Sequence, residues 1–110
     1  MLDLTKKRCV PCEGGLPPLS ATEVHKYLKE VPGWTVADDN KSISRIYKFK
    51  DFKEAMAFVN EVADIAEFES HHPDISIHYN KVTLTLATHA IGGLSENDFI
   101  LAAKIDEIKN

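Results

Sequence analysis

Residues 75 to 88 alternate apolar and polar side chains on either side of a short polar break, and no other feature limits the fold as much. Ile75, Ile77 and Tyr79 precede Asn80-Lys81, and Val82, Leu84 and Leu86 follow it. A period of two is the signature of a strand with one buried face. Two such runs separated by two residues have room only for a tight antiparallel hairpin, and Asn tolerates the left-handed backbone that such turns demand. With Asn80 and Lys81 as the turn, Tyr79 faces Val82, Ile77 faces Leu84 and Ile75 faces Leu86. The opposite face then pairs His78 with Thr83, Ser76 with Thr85 and Asp74 with Ala87, and one further step sets His72 opposite His89.

A second alternating stretch surrounds the polar turn Asp38-Asp39-Asn40-Lys41. Trp34 and Val36 come before it, and Ile43, Arg45, Tyr47 and Phe49 share one side after it. Three segments have helical spacing instead, each opened by a capping signature: Ser20-Ala21-Thr22-Glu23, Asp51-Phe52-Lys53-Glu54 and Ser95-Glu96-Asn97-Asp98. The first helix is expected to bury Val24, Leu28 and Val31 and to stop before Pro32-Gly33. The second is expected to bury Phe52, Ala55, Met56, Val59, Val62, Ala63 and Ala66, and the third Phe99, Ala102, Ala103 and Ile105. The strands come as hairpins rather than crossovers. The expected fold is therefore α+β, a four-stranded antiparallel sheet with three helices packed on one face, in the order α-β-β-α-β-β-α. Residues 1–19, rich in Gly, Pro and charge, read as an irregular lead-in, and residues 20–110 as one domain.

The 110 residues are one domain's worth, and a net charge of −4 argues against direct nucleic-acid binding. No apolar run approaches the ~20 residues of a membrane helix. The N-terminus has no secretory pattern, so a cytoplasmic location is expected. Cys9 and Cys12 form a single Cys-x-x-Cys. That is half a zinc site, and the Gly-Pro stretch after it does not suit a redox helix. A reduced pair without a role is the expectation, with metal or redox use across a subunit contact as the alternative.

The chemistry converges at one end of the hairpin, where the register gathers His71, His72 and His89. Glu67 precedes His71 by one helical turn, and a carboxylate beside an imidazole fixes its tautomer and raises its proton affinity. Asp98 follows shortly after His89, and Gly92-Gly93 between them let the third helix fold back towards the histidines. Taken singly, each residue also has a plain structural reading. Glu67 suits a solvated helix face, Asp98 a capping box, and His71 and His72 a helix C-terminus. Imidazoles beside carboxylates suit proton transfer near neutral pH. No Ser or Cys nucleophile stands among them, and no phosphate-binding glycine loop is present. His25 reads as solvated, and His78 lies further along the polar face of the hairpin.

These residues resemble the pterin-4a-carbinolamine dehydratase family. The resemblance rests on Glu67, His71-His72-Pro73, Tyr79, His89 and Asp98 at their spacings, supported by Tyr79-Asn80-Lys81-Val82 and by Thr88-His89 through Gly93-Leu94-Ser95-Glu96. It covers roughly residues 20 to 108. It implies the same fold and a hydro-lyase that dehydrates 4a-hydroxytetrahydropterin to quinonoid dihydropterin, with no cofactor and no metal. By position, His71 and His89 would be the acid and base, and His72 would hold or polarise the substrate. Glu67 would orient His71, Asp98 would steady His89 or its loop, and Pro73 would shape the bend. Asp74, Ser76 and His78 would bind the pterin. Two positions depart from animal members: Ile75 replaces an aromatic residue and Ser70 an aspartate. The Cys-x-x-Cys lead-in is similar to extensions in some bacterial and plastid members.

The resemblance also implies a homodimer or homotetramer, an aromatic amino acid hydroxylase in the same pathway, and no direct contact with nucleic acid or membrane. The competing expectation is a non-catalytic dimerisation, assembly or transcriptional co-regulator module on the same fold. A metal site built from His71, His72 and His89 is a third, although adjacent histidines in regular structure diverge.

Overall fold

The hairpin forms with its turn one residue earlier than the spacing predicts. The computed structural model describes residues 4–9 and 17–108 of the chain. In it β3 (Asp74–His78) pairs with β4 (Lys81–Leu86), matching His78 to Lys81, Ile77 to Val82 and Ile75 to Leu84. The turn is therefore Tyr79-Asn80, and Tyr79 takes the left-handed backbone at φ +54°. The cause lies in the neighbouring strand. Lys81 also pairs with Lys48 of β2 (Ile43–Lys48), so it belongs to the ladder. Asn80 is tied to the end of β2, accepting from Phe49 N at 2.8 Å and donating through Nδ2 to Phe49 O at 2.9 Å. The pairing slips by two residues, an even number, so every side chain keeps its expected face. Two of the expected apolar set are nevertheless exposed, Tyr79 at the turn and Ile75 on the edge strand.

The full order is α1 (Ala21–Leu28), β1 (Thr35–Val36), β2, α2 (Phe52–Glu69), β3, β4 and α3 (Glu96–Asp106), with single 3-10 turns at Leu4–Lys6 and His89–Ile91. The four antiparallel strands lie in the order β1-β2-β4-β3. Val82, Leu84 and Leu86 of β4 are completely buried beneath the helices, while Lys81, Thr83 and Thr85 alternate on the open face. Burying each such Leu contributes ~1.5–3 kcal/mol.

The buried stripe of α2 is Ala55, Phe58, Val62, Ala66 and Glu69, rotated from the expected one. Phe52 is half exposed, Ala63 is exposed, and Met56 and Val59 are only partly covered. The helix is apolar on more than one side. Its orientation is set by Phe58, whose ring lies 4.6 Å from that of Tyr47 and 5.0 Å from that of Phe49. In α3 every residue from Asn97 to Ala103 is buried. Its far end is pinned to the sheet by Asp106, which accepts from Trp34 Nε1 at 3.0 Å, from Arg45 at 3.1 Å and from Tyr47 OH. That carboxylate explains how Arg45 can share the helix-facing side with Ile43 and Tyr47.

The lead-in is more engaged than its composition predicts. Leu4 is 2% exposed within the core, Lys7 Nζ reaches Glu96 at 2.8 Å, and Cys9 N donates to Glu69 at 2.8 Å. One apolar side chain leaves no periodicity to read. Cys12 lies outside the described residues.

Candidate functional site

Residue 70 decides where the histidines point. Ser70 ends α2 in the left-handed conformation at φ +55°, and His71 N closes back on Ala66 O at 3.2 Å. The chain leaves the helical path there, so the helical-face pairing of Glu67 with His71 does not form. Glu67 Oε2 instead meets His72 Nε2 at 2.5 Å, and His71 Nε2 meets Asp98 Oδ1 at 2.6 Å. The expectation set Glu67 beside His71 and Asp98 beside His89 or its loop; in the structure Glu67 lies beside His72 instead, and Asp98 lies beside His71 while also holding the loop through Thr88.

Asp98 reaches His71 because the connection after β4 closes on itself. Thr88 N donates to Gly93 O at 2.8 Å and Gly93 N to Thr88 O at 3.4 Å, with Gly92 left-handed at φ +68°. A side chain at Gly93 would meet Pro18 Cβ at 2.7 Å. This closed loop carries His89 at its start and delivers the N-terminus of α3 beside Thr88. Asp98 completes a capping box with Ser95, accepting from Ser95 N through Oδ2 at 3.0 Å, and Thr88 Oγ1 donates to the same oxygen at 2.9 Å. The capping reading of Asp98 holds and does not use up the carboxylate: one oxygen caps the helix and the other faces the imidazole.

His71, His72 and His89 together line an open cleft of about 320 Å³, between the end of α2 and the Thr88 loop. That is the low end of small-molecule pockets. The gathering predicted by the register therefore holds, though not its detail. In the observed ladder a continuation would set His72 opposite Ala87, and His89 lies beyond the strand in a 3-10 turn. A second recess, about 280 Å³, shares Ala87, Thr88 and His89 and reaches Lys41.

Asp98 is completely buried and its acceptors face N–H and O–H donors. A carboxylate in its ionised form only accepts; facing that form, His71 Nε2 is the donor and Nδ1 is the ring nitrogen left for a ligand. The same logic leaves Nδ1 free in His72. His89 is exposed and has no side-chain partner among the described residues. Pro73 is half-buried between the pair and β3. Asp74, Ser76 and His78 alternate along the open face of β3 and do not line the cleft. His78 stands at the far, turn end of that strand. Thr88 belongs to the stretch that carries the family resemblance, but sequence reasoning gave it no role of its own. It sits next to His89, but a threonine in a strand is ordinary and its hydroxyl contact depends on a loop closure that periodicity does not show.

No three His, Cys, Asp or Glu side chains among the described residues are arranged to hold a metal ion. Cys9 is half-buried, with its Sγ 3.6 Å from Asn97 O. Burial and the Glu69 carboxylate push its thiol up to about 12, far from a reactive thiolate. Burial alone would raise Glu69. The hydrogen bonds from Lys104 and from Cys9 N, with the nearby charges of Lys104 and Arg8, outweigh it and hold the carboxyl below its ordinary value. No helix of the described chain is long and apolar enough to cross a membrane.

Comparison with known proteins gives a consistent result. The family model described as pterin 4 alpha carbinolamine dehydratase matches residues 17–108. A Rubrobacter xylanophilus protein, named as a candidate pterin-4-alpha-carbinolamine dehydratase, is 44% identical over 108 residues, covering 98% of this chain and 100% of its own. A similarly named protein of Nitrosospira multiformis is 51% identical over 106 residues, covering 96% and 92%. Among solved structures, a transcriptional coactivator/pterin dehydratase from Brucella melitensis superposes with a TM-score of 0.77 at 38% identity, covering 81% of this chain and 95% of that one.

Proposed function

The chain belongs to the pterin 4 alpha carbinolamine dehydratase family, a family of hydro-lyases, and from that membership we propose that it dehydrates 4a-hydroxytetrahydropterin to quinonoid dihydropterin by histidine acid–base catalysis. The observation that carries this reading is the cleft in which His71, His72 and His89 meet, with His71 held by a buried carboxylate. The reaction needs a proton delivered to the 4a-hydroxyl, which leaves as water, and a proton removed from N5, so that a C4a–N5 double bond forms. Both transfers suit imidazoles near pH 7.

In this reading His71 and His89 are the acid–base pair. His71 offers Nδ1, because its Nε2 is engaged by Asp98. His89, without a competing partner among the described residues, is free to exchange a proton with substrate or solvent. His72, steadied by Glu67, holds the substrate near the hydroxyl. Pro73 sets the bend that brings the His71-His72 pair against β3. Asp74, Ser76 and His78 stand outside the cleft lining, so any contact they make is with parts of the substrate that project over the sheet. The expected product, a quinonoid dihydropterin, lies two electrons above the tetrahydropterin that a pterin-dependent hydroxylase consumes, so a separate reduction has to follow before the cofactor is used again.

The test is the rate at which the protein speeds loss of 4a-hydroxytetrahydropterin absorbance, with the carbinolamine generated in place by a hydroxylase. Clear acceleration that disappears in a His71→Ala, His89→Ala double variant supports the proposal. A folded wild-type protein that gives no acceleration would move the reading to a non-catalytic binding or assembly role on the same fold.

A further inference from the structure

The two oxygens of Asp98 have separate duties, and the residue that separates them is Thr88. Oδ1 faces His71 Nε2 at 2.6 Å, while Oδ2 takes both Ser95 N–H and Thr88 O–H. All of this occurs at a carboxylate that is completely buried, next to a threonine that is 4% exposed. We infer that the Thr88 hydroxyl is a positioning group for His71, fixing the Asp98 carboxylate so that the imidazole is held in its Nε2–H form and presents Nδ1 to the cleft.

The direction of the hydrogen bonds follows from the number of protons. Thr88 Oγ1 lies 2.9 Å from Asp98 Oδ2 and 2.8 Å from Ser95 Oγ. A hydroxyl has one proton, and an ionised carboxylate can only accept. The Thr88 proton therefore goes to Asp98, and Ser95 donates to Thr88. Two donors then converge on Oδ2 from different elements, the α3 N-terminus and the end of the sheet. Without Thr88 the carboxylate would be held by Ser95 N–H and by the very imidazole it is to position; the Thr88 hydroxyl adds a second hold that does not depend on His71.

Thr88 is well placed for this duty because its own backbone is fixed by the two hydrogen bonds to Gly93. It is also the residue before His89. The stretch Thr88-His89 thus fixes the carboxylate that orients one histidine and carries the other into the same cleft. A proton donor and acceptor must be placed to within a fraction of an ångström, and a misplacement of ~1 Å can cost up to ~10²-fold in rate. The catalytic consequence rests on the dehydratase reading above, whereas the tautomer consequence does not.

The experiment uses the full chain with nitrogen-15 labelled histidine and follows the His71 ring nitrogens by NMR in the resting protein, beside Thr88→Val and Thr88→Ser. The inference expects an Nε2–H signature in wild type and in Thr88→Ser, and a mixture of tautomers in Thr88→Val. In the turnover assay Thr88→Val should lose kcat by about tenfold to a hundredfold with KM changed much less, and Thr88→Ser should restore it. A Thr88→Val protein with the wild-type His71 signature would overturn the inference. So would loss of that signature in Thr88→Ser, which keeps the hydroxyl and decides the matter even if the valine variant does not fold. Because the spectra need no substrate, a wild type lacking dehydratase activity would sink the reaction and leave this result readable.

Discussion

His71 and His72 are neighbours in sequence and each sets Nε2 against a carboxylate, yet the two pairs lie in different media. The His71 side chain is 13% exposed and that of Asp98 0%, whereas those of His72 and Glu67 are 59% and 77% exposed. In water-filled surroundings a charge pair is weakened by the solvent dielectric and by salt, and its geometry costs side-chain entropy. In the buried pair the carboxylate has no water to fall back on, so every donor it meets in the fold matters. The same two residue types thus give a fixed, oriented imidazole at position 71 and an adjustable one at position 72. A proton-transfer group needs the first property, and a group that accommodates a substrate gains from the second.

The sharpest way to break this comparison is at the buried carboxylate. Asp98→Asn removes the anionic acceptor of three donors. We expect a stability loss on the order of 2–3 kcal/mol, readable in urea unfolding, and a fall in dehydration rate of ~10²–10³-fold.

Burial and chemistry can then be separated at Glu69, which is buried like Asp98 but lies away from the cleft, held by Lys104 at 2.5 Å and by Cys9 N. Glu69→Gln should cost ~1–3 kcal/mol and leave kcat and KM unchanged. Its acid dependence should differ as well. The folded carboxyl binds its proton more weakly than the unfolded one. Its contribution is therefore complete above the ordinary value of 4.5 and is lost as pH falls through that value towards the lowered folded one. Glu96 acts in the same sense through Lys7 and Tyr27. Unfolding free energy measured against pH should fall below 4.5 in wild type and fall less steeply in Glu69→Gln.

The smallest effect is expected at the exposed pair. Glu67→Gln should change stability by less than about 1 kcal/mol, and activity far less than Asp98→Asn does. Parity between Glu67→Gln and Asp98→Asn in the turnover assay would remove the distinction between the wet and the dry pair.

The fold was legible where a pattern is local. The two-residue alternation of β3 and β4, the capping residues Ser20 and Ser95, and the order of elements all follow from neighbours in sequence. The hairpin turn was misplaced because Lys81 is claimed by β2, a strand far away in sequence. The exposed Phe52 and the buried Phe58 were not separable by period alone, since α2 is apolar on more than one side and only the rings of Tyr47 and Phe49 choose between them. At the site, the gathering of His71, His72 and His89 was readable, but their partners were not. One left-handed residue, Ser70, redirects the chain, and spacing rules assume that the helix continues. Thr88 was legible only as part of the resemblance, and its contact with Asp98 was not, since that contact exists only after the loop to Gly93 has closed.

The central claim is that the dry pair moves protons and the wet pair assists. Its most direct test is the dehydration rate of His71→Gln and His72→Gln, measured side by side on folded proteins with 4a-hydroxytetrahydropterin generated in place. The account predicts the larger loss of kcat in His71→Gln, by at least about tenfold given the range of acid–base contributions, with His72→Gln acting more on KM. Equal losses of kcat, or a larger loss in His72→Gln, would contradict it.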